Sequence, residues 1–431
     1  MSIIERYAGE FMKVVVASKF YYHRGGLESY LFKISDILKS YNHEVIPFST
    51  TYERNINTEY RRFFTKYIEV GNISNSAILE KVNALFKIFY NIEAKENFSK
   101  LLDYARPDLV WGFGIHRHLS PSIFIEAQKR AIPVIHRLSD YSLICPDSRL
   151  IKGDGSNCNE LLCCKDSYFN AIKYRCVRQS KDSFSGKNPS IIASAVGAAE
   201  IYFHNKFKLY INNVDKFIAP SQFLMNTMIK GGIPEYKITH IPIFIDPYKY
   251  KPEYISQPYM VYVGRLSCEK GLTLLLEAMS RLKHQKLFII GDGPEKLKLE
   301  YIKEQKNLVN VKFLGSMFDE QLHRIIRNSR LVIVPSTWYE NSPHVVLEAF
   351  ALGKPVLGAR IGGIPEYVEE NITGQLYEHN NLDELTEKIN TLMQQQTLCE
   401  EMGRASRKIA EIKYNPKIHY AEVMKTINQI L

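Results

Sequence analysis

The sequence predicts an α/β protein built from two doubly wound parallel-sheet domains. The 431 residues suit two domains of ordinary size rather than one. Short β-branched runs alternate with helical patterns, and this series restarts near Tyr259. Between the two series lies a stretch, residues 245–258, with three prolines and no periodicity, which reads as the linker.

In the first half, residues 13–18 (KVVVAS) read as a strand buried in a parallel sheet. A polar loop, 19–26, follows it. Leu27, Tyr30, Leu31, Ile34 and Leu38 then place a helix over 27–40. Residues 43–48, 108–112, 133–138 and 214–219 read as further strands. In the second half the strands are 260–263, 286–290, 311–314, 331–335 and 355–359. Helices fit at 271–282, 295–304, 320–329 and 344–352. The domains are therefore set at 12–245 and 258–415, and a last helix, 416–431, suits either half.

Hydrophobic residues make up 45% and charged residues 24%, a globular composition. No apolar run is long enough to span a bilayer, the best candidate being 191–203. Glu5, Arg6 and Glu10 interrupt the start, where a signal peptide would have an apolar core, so a cytoplasmic protein is expected. The net charge is +10, and residues 165–208 hold eight Lys or Arg against three acids. That excess suits anionic lipid, a polyphosphate substrate or nucleic acid, and equally a solvated basic face. Five of the seven cysteines (Cys145, Cys158, Cys163, Cys164, Cys176) are clustered. A reducing compartment argues against disulfides. Four thiolates could hold a structural zinc, although no CxxC pair is present and unbridged or buried thiols remain open.

Ligands of open α/β sheets bind at the carboxyl ends of the strands. Four segments there carry unusual residues. Gly264-Arg265-Leu266-Ser267-Cys268-Glu269-Lys270-Gly271 follows a strand and opens a helix. Its two cations and the helix N–H groups suit a diphosphate that departs with negative charge. Glu340-Asn341-Ser342-Pro343-His344-Val345-Val346-Leu347-Glu348 places two carboxylates on either side of a helix start. They could accept from sugar or ribose hydroxyls while backbone amides hold phosphate. Gly362 and Gly363 permit close backbone approach, and Gly25-Gly26 opens the first helix. In the first half His116, His118 and His136 lie near strand ends, and His116 is the foremost candidate for sharing a proton with a sugar hydroxyl. Each feature also has a plain reading as a turn, a solvated charge or a buried histidine.

Taken together, Gly25-Gly26-x-Glu28, Gly264-Arg265-x-x-x-x-Lys270-Gly271, Gly291-x-Gly293-Pro294, Glu340 with Glu348, and Gly362-Gly363-Ile364-Pro365-Glu366 resemble glycosyltransferase family 4. Asp140 to Pro146, the cysteines after it and Ala219-Pro220-Ser221 are similar to the branch that builds bacterial capsular polysaccharide, exopolysaccharide and lipopolysaccharide. The resemblance implies a GT-B fold, two Rossmann-like domains facing across a cleft, with the last helix crossing back to the first. It implies retaining transfer of a hexose-type sugar from a nucleoside diphosphate sugar, with no cofactor required and no metal at the donor. By that likeness Arg265 and Lys270 hold the diphosphate, Glu348 the ribose and Glu340 the sugar. Gly264, Ser342, His344 and Val345 line the donor, and Gly26 approaches the phosphate. Ser342-Pro343 stands where the family often has Phe-Gly. The expected partners are a nucleoside diphosphate sugar, a saccharide or lipid-linked oligosaccharide acceptor, and an anionic membrane surface at the inner face of the cell membrane, but not nucleic acid. Two other readings fit the residues less well. An NAD-dependent sugar-nucleotide epimerase or oxidoreductase lacks its GxGxxG loop after the first strand. A non-enzymatic basic binding protein leaves the paired glutamates unexplained.

Overall fold

The computed structural model describes residues 10–67, 86–165, 167–179 and 188–431. Glu5 and Arg6, cited against a signal peptide, and Asp166, Lys181, Asp182 and Lys187, counted in the charge of 165–208, lie outside these residues. The chain divides into two compact units, Met1–Ile241 with Tyr420–Leu431, and Pro242–His419.

The first unit holds a six-stranded parallel sheet. Its strands are β1 (Lys13–Ser18), β2 (Glu44–Phe48), β3 (Leu109–Phe113), β4 (Val134–Arg137), β5 (Lys216–Ala219) and β6 (Ile238–His240). Their order is β6-β5-β4-β3-β1-β2. Val15 of β1 pairs with Ile46 on one side and Val110 on the other. Helices cover both faces of such a sheet, so a central strand such as β1 is apolar through its middle. Val14, Val15, Val16 and Ala17 are all buried. Helix α1 (Gly26–Ser40) turns Tyr30, Leu31, Ile34 and Leu38 inward. The unit also holds helices α2 (Ile92–Ala105), α3 (Ser122–Gln128), α4 (Ile191–Lys206) and α5 (Gln222–Lys230). In the closing segment, Tyr420 hydrogen-bonds His43 Nε2 through its hydroxyl (2.8 Å) and stacks on Tyr41 at 3.8 Å.

The second unit repeats the construction. Its strands are β7 (Tyr259–Val263), β8 (Lys286–Ile290), β9 (Val311–Gly315), β10 (Leu331–Val334), β11 (Val356–Ala359) and β12 (Gly374–Tyr377). The order β9-β8-β7-β10-β11-β12 is that of a dinucleotide-type doubly wound sheet. Between the strands run α6 (Leu272–Arg281), α7 (Lys296–Gln305), α8 (Asp319–Asn328), α9 (His344–Ala351) and the short α10 (Ile364–Tyr367). Helices α11 (Leu382–Gln394) and α12 (Gln396–Ile412) follow, and the last helix of the chain, α13 (Pro416–Ile427), belongs to the first unit from Tyr420 on. Among the described residues no helix is long and apolar enough to cross a membrane.

Candidate active site

The strand order of the second sheet reverses between β7 and β10. At such a switch point the loops leaving neighbouring strands turn in opposite directions and open a crevice at their carboxyl ends. The loops here are 264–271 after β7 and 335–343 after β10, with 360–363 following β11.

Loop 264–271 is held by its backbone. The Tyr262 hydroxyl donates to the Arg265 carbonyl (2.8 Å) and the Leu266 N–H to the Asp292 carbonyl (2.9 Å). A single helical turn, Cys268–Lys270, ends at Gly271, which adopts φ 72° and starts α6. A Cβ on Gly271 would sit 1.8 Å from the Pro335 carbonyl oxygen, so only glycine lets the two loops touch. The Thr337 N–H donates to the Glu269 carbonyl (2.9 Å), a second tie between them. Glu269 itself is buried, and the Ser267 hydroxyl donates to its carboxylate (2.5 Å).

Lys270 comes out of this turn and pairs with the Glu340 carboxylate, its ammonium lying 5.6 Å from the centre of the Trp338 ring. Glu340 is buried, and its Oε1 also accepts from the Ser336 hydroxyl (2.8 Å). Burial pushes the Glu340 carboxyl up, but the Lys270 charge and the hydrogen bonds from Lys270 and Ser336 outweigh it and hold the group below its ordinary value. The Glu340 backbone is fixed from the other side. The Gly363 N–H donates to its carbonyl (2.6 Å), and Gly362, at φ 59°, lies so close that a Cβ would be 2.4 Å from that oxygen.

Helix α9 begins immediately beyond. Pro343 precedes it and no side chain caps it, and the first N–H groups of a helix have no intrahelical acceptor. Ser342, His344 and Val345 stand half-buried at this end, and Gly264 and Arg265 are half-buried in the loop after β7. Glu348 lies one turn into α9, because residues 340–343 are loop rather than helix. Burial first, and then the Glu348 charge, push the nearby Tyr250 hydroxyl up. Lys270 and Glu340 are thus in direct contact, while Arg265, Ser342, His344, Val345 and Glu348 are set on elements leaving the same edge of the sheet. Ser336, Trp338 and Tyr262 escaped the sequence reading. The polar and aromatic run directly after β10 was the available signal for the first two.

In the first unit His116 follows β3, and its Nδ1 is 2.9 Å from the Tyr210 hydroxyl. His136 and His204 gather around the same tyrosine, with ring centres 5.9 and 5.5 Å from it. His136 Nδ1 donates to the Gly112 carbonyl (3.2 Å) and His204 Nε2 to that of Phe89 (2.8 Å). Burial, with the neighbouring His204 and Arg117 charges, brings His116 down to about 3. Burial and His116 do the same to His136. Both rings are therefore neutral at pH 7. His118 is buried and stacked on Tyr67, with ring centres 5.2 Å apart. Gly26 is the exposed first residue of α1.

The cysteine segment packs as small apolar side chains. Cys176 joins Ala171 and Ala198 with Cys163 beside them, and the Cys164 thiol donates to the Ile144 carbonyl (3.1 Å). Burial raises Cys145, Cys163 and Cys176 to about 12. Among the described residues no three His, Cys, Asp or Glu are grouped so as to hold a metal ion.

Residues 250–409, which carry the second-unit site residues above, match the family model described as Glycosyl transferases group 1. The match covers just over a third of the chain, all of it in the second unit. The curated relatives include sulfoquinovosyl transferase SQD2 of Arabidopsis thaliana, 33% identical over 163 residues, or 37% of this chain and 31% of that protein. They also include the lipopolysaccharide 1,2-N-acetylglucosaminetransferase of Salmonella typhimurium, 31% identical over 215 residues, or 44% of this chain and 56% of that protein. The chain thus spans about a third to just over half of these relatives. Among solved structures, Anabaena Alr3699/HepE in complex with UDP-glucose superposes with a TM-score of 0.64 at 17% identity, covering 97% of this chain and 100% of that one. That likeness concerns the fold, which is GT-B with two Rossmann-like sheets. The loops around Lys270 and Glu340 all lie inside the matched residues.

Proposed function

We propose that the protein is a retaining glycosyltransferase of hexosyl type. It moves a sugar from a nucleoside diphosphate sugar to a saccharide or lipid-linked oligosaccharide in the making of a bacterial surface polysaccharide. The observation that carries this reading is the Lys270–Glu340 pair, set at the switch point of the sheet within the matched residues. A cation and a carboxylate side by side match the two ends of a sugar diphosphate. The cation meets the phosphates and the carboxylate accepts from sugar hydroxyls.

In this mechanism Lys270, Arg265 and the N–H groups at the start of α9 stabilise the charge that grows on the diphosphate as the anomeric C–O bond breaks. The acceptor hydroxyl attacks from the face the diphosphate leaves, and a phosphate oxygen takes its proton. Glu340 orients the sugar and is not the nucleophile. Gly264, Ser342, His344 and Val345 line the donor, and Glu348 holds ribose hydroxyls. His116, neutral and tied through Nδ1 to Tyr210, has Nε2 for a substrate hydroxyl. The sequence likeness brings no metal or cofactor into the reaction. The UDP-glucose in the Anabaena structure makes uridine nucleotides the first donors to try.

The test is a thermal-shift screen of nucleoside diphosphate sugars, followed by NMR of the product's anomeric configuration. A donor at a hundred times its Kd stabilises the chain by about 2.7 kcal/mol. A clear rise with one donor class and an unchanged anomeric configuration are expected. No shift with any nucleoside diphosphate sugar, or an inverted product, refutes the proposal.

A further inference from the structure

Helix α4 carries apolar residues on both faces. Its inner face, Ser194, Gly197, Ala198, Ile201 and His204, is buried. Small residues let it lie close to its neighbours; a Cβ on Gly197 would be 3.2 Å from Pro146. A surface helix normally turns polar residues outward. This one presents Ile192, Ala195, Ala199 and Tyr202, spaced three and four apart along one stripe. Ile192 is 78% exposed and Tyr202 52%. Phe207, just past the helix, is 56% exposed, and Phe169 is 74% exposed in the segment leading into the short helix Asn170–Lys173. That segment is joined to α4: Tyr168 accepts from Asn205 (2.7 Å), with its ring centre 6.3 Å from that of Tyr202.

The same segments carry exposed cations. Lys173, Arg175, Lys206 and Lys208 are exposed, and Lys206 lies over the Tyr202 ring at 5.5 Å. Among the described residues between 167 and 210 the one acid is Glu200, and it is buried against Arg117 (3.0 Å). The surface is therefore apolar at its centre and positive at its rim, with no exposed acid among those residues. Aromatic rings with Lys and Arg around aliphatic side chains are what the interface of an anionic bilayer takes. A protein partner of mixed charge would meet no complementary acid among those residues.

We propose that α4, with Phe169 and Phe207 beside it, is the face by which the protein docks on an anionic lipid surface. The apolar stripe enters the headgroup boundary and the four cations meet lipid phosphates. This inference stands apart from the sugar-transfer reading, because it is read without any nucleotide.

The experiment is flotation of the full chain with phosphatidylcholine vesicles, with and without phosphatidylglycerol. Binding is expected only with the anionic lipid, and it should weaken with salt. Lys206→Glu with Lys208→Glu should lower the partition coefficient at least about tenfold, given about 1 kcal/mol per surface cation. Ile192→Asp with Tyr202→Asp should abolish flotation while thermal unfolding stays unchanged. Phe207→Ser, outside the helix, is a separate variant expected to weaken binding without touching the fold. Equal flotation with both lipids, none with either, or variants that bind as the parent does each overturn the proposal. So does a chain that self-associates through this face and loses that association, rather than lipid binding, in the Asp variant.

Discussion

Lys270 and Glu340, 70 positions apart in the chain, form a hydrogen-bonded ion pair between the loop after β7 and the loop after β10. Glu340 is buried and Lys270 is not fully so. Lys270→Ala leaves a carboxylate without its cation in a dry place and should cost about 3 kcal/mol of stability. The same change removes a charge-stabilising donor, and turnover at saturating donor should fall about a hundred- to a thousandfold. In the double variant Lys270→Met with Glu340→Gln, much of the stability should return and the activity should not. Urea unfolding and steady-state rates on the three proteins check this; recovery of both together would show a purely structural pair.

The Gly362 backbone lies against Glu340, where a Cβ would come within 2.4 Å of its carbonyl oxygen. Gly362 also has φ 59°, where a side chain is strained. Gly362→Ala should therefore lower stability by about 1 kcal/mol or more and weaken donor binding through displacement of Glu340. Thermal unfolding and donor titration of the variant test it. Normal donor affinity would mean that Glu340 does not depend on this contact.

Acid should destabilise the chain. His136 is held at about 3 in the fold against an ordinary 6.5. Below 6.5 the unfolded chain takes up a proton that the folded one refuses, so stability falls as the pH drops from 6.5 towards 3. A histidine kept neutral at pH 5 loses about 2 kcal/mol this way. Glu340 acts in the same direction lower down. Its depressed carboxyl contributes stability above 4.5, which is lost as the pH falls through its folded value. Urea midpoints from pH 7 to 4 should decline, and less steeply in His136→Asn. A flat profile would contradict the burial of this histidine.

Much of the fold was legible because parallel strands buried on both faces read as unbroken apolar runs. Residues 13–18 and 286–290 have the same bounds in sequence and structure. β6 and β12 carried no such signal. They are three and four residues long, and His240, Gly374 and Gln375 break any run. Helix α4 hid for the opposite reason. With apolar residues on both sides it has no spacing that marks a face, and it read only as a weak membrane-span candidate. At the site, residue types were visible but partners were not. Nothing in the order of the chain says that Lys270 meets Glu340, or that Ser336 donates to the same oxygen, since both follow from which strands are neighbours.

Cys268 lies in the proposed diphosphate loop and is the exposed cysteine of the seven. Cys145, Cys163 and Cys176 are shielded and raised by burial, so they should react slowly. A maleimide should label Cys268 first, block donor binding, and be slowed by nucleoside diphosphate. Mass spectrometry of the labelled peptides decides it, and labelling indifferent to nucleotide would place the ligand elsewhere.

The account rests on the diphosphate meeting the cations of loop 264–271, and calorimetric titration measures this most directly. Uridine diphosphate and uridine monophosphate are titrated into the parent chain, Arg265→Ala and Lys270→Ala. The diphosphate should bind the parent at least about tenfold more tightly than the monophosphate, a difference of about 1.4 kcal/mol, and each variant should lose that preference. Equal affinity for the two nucleotides in all three proteins would contradict it.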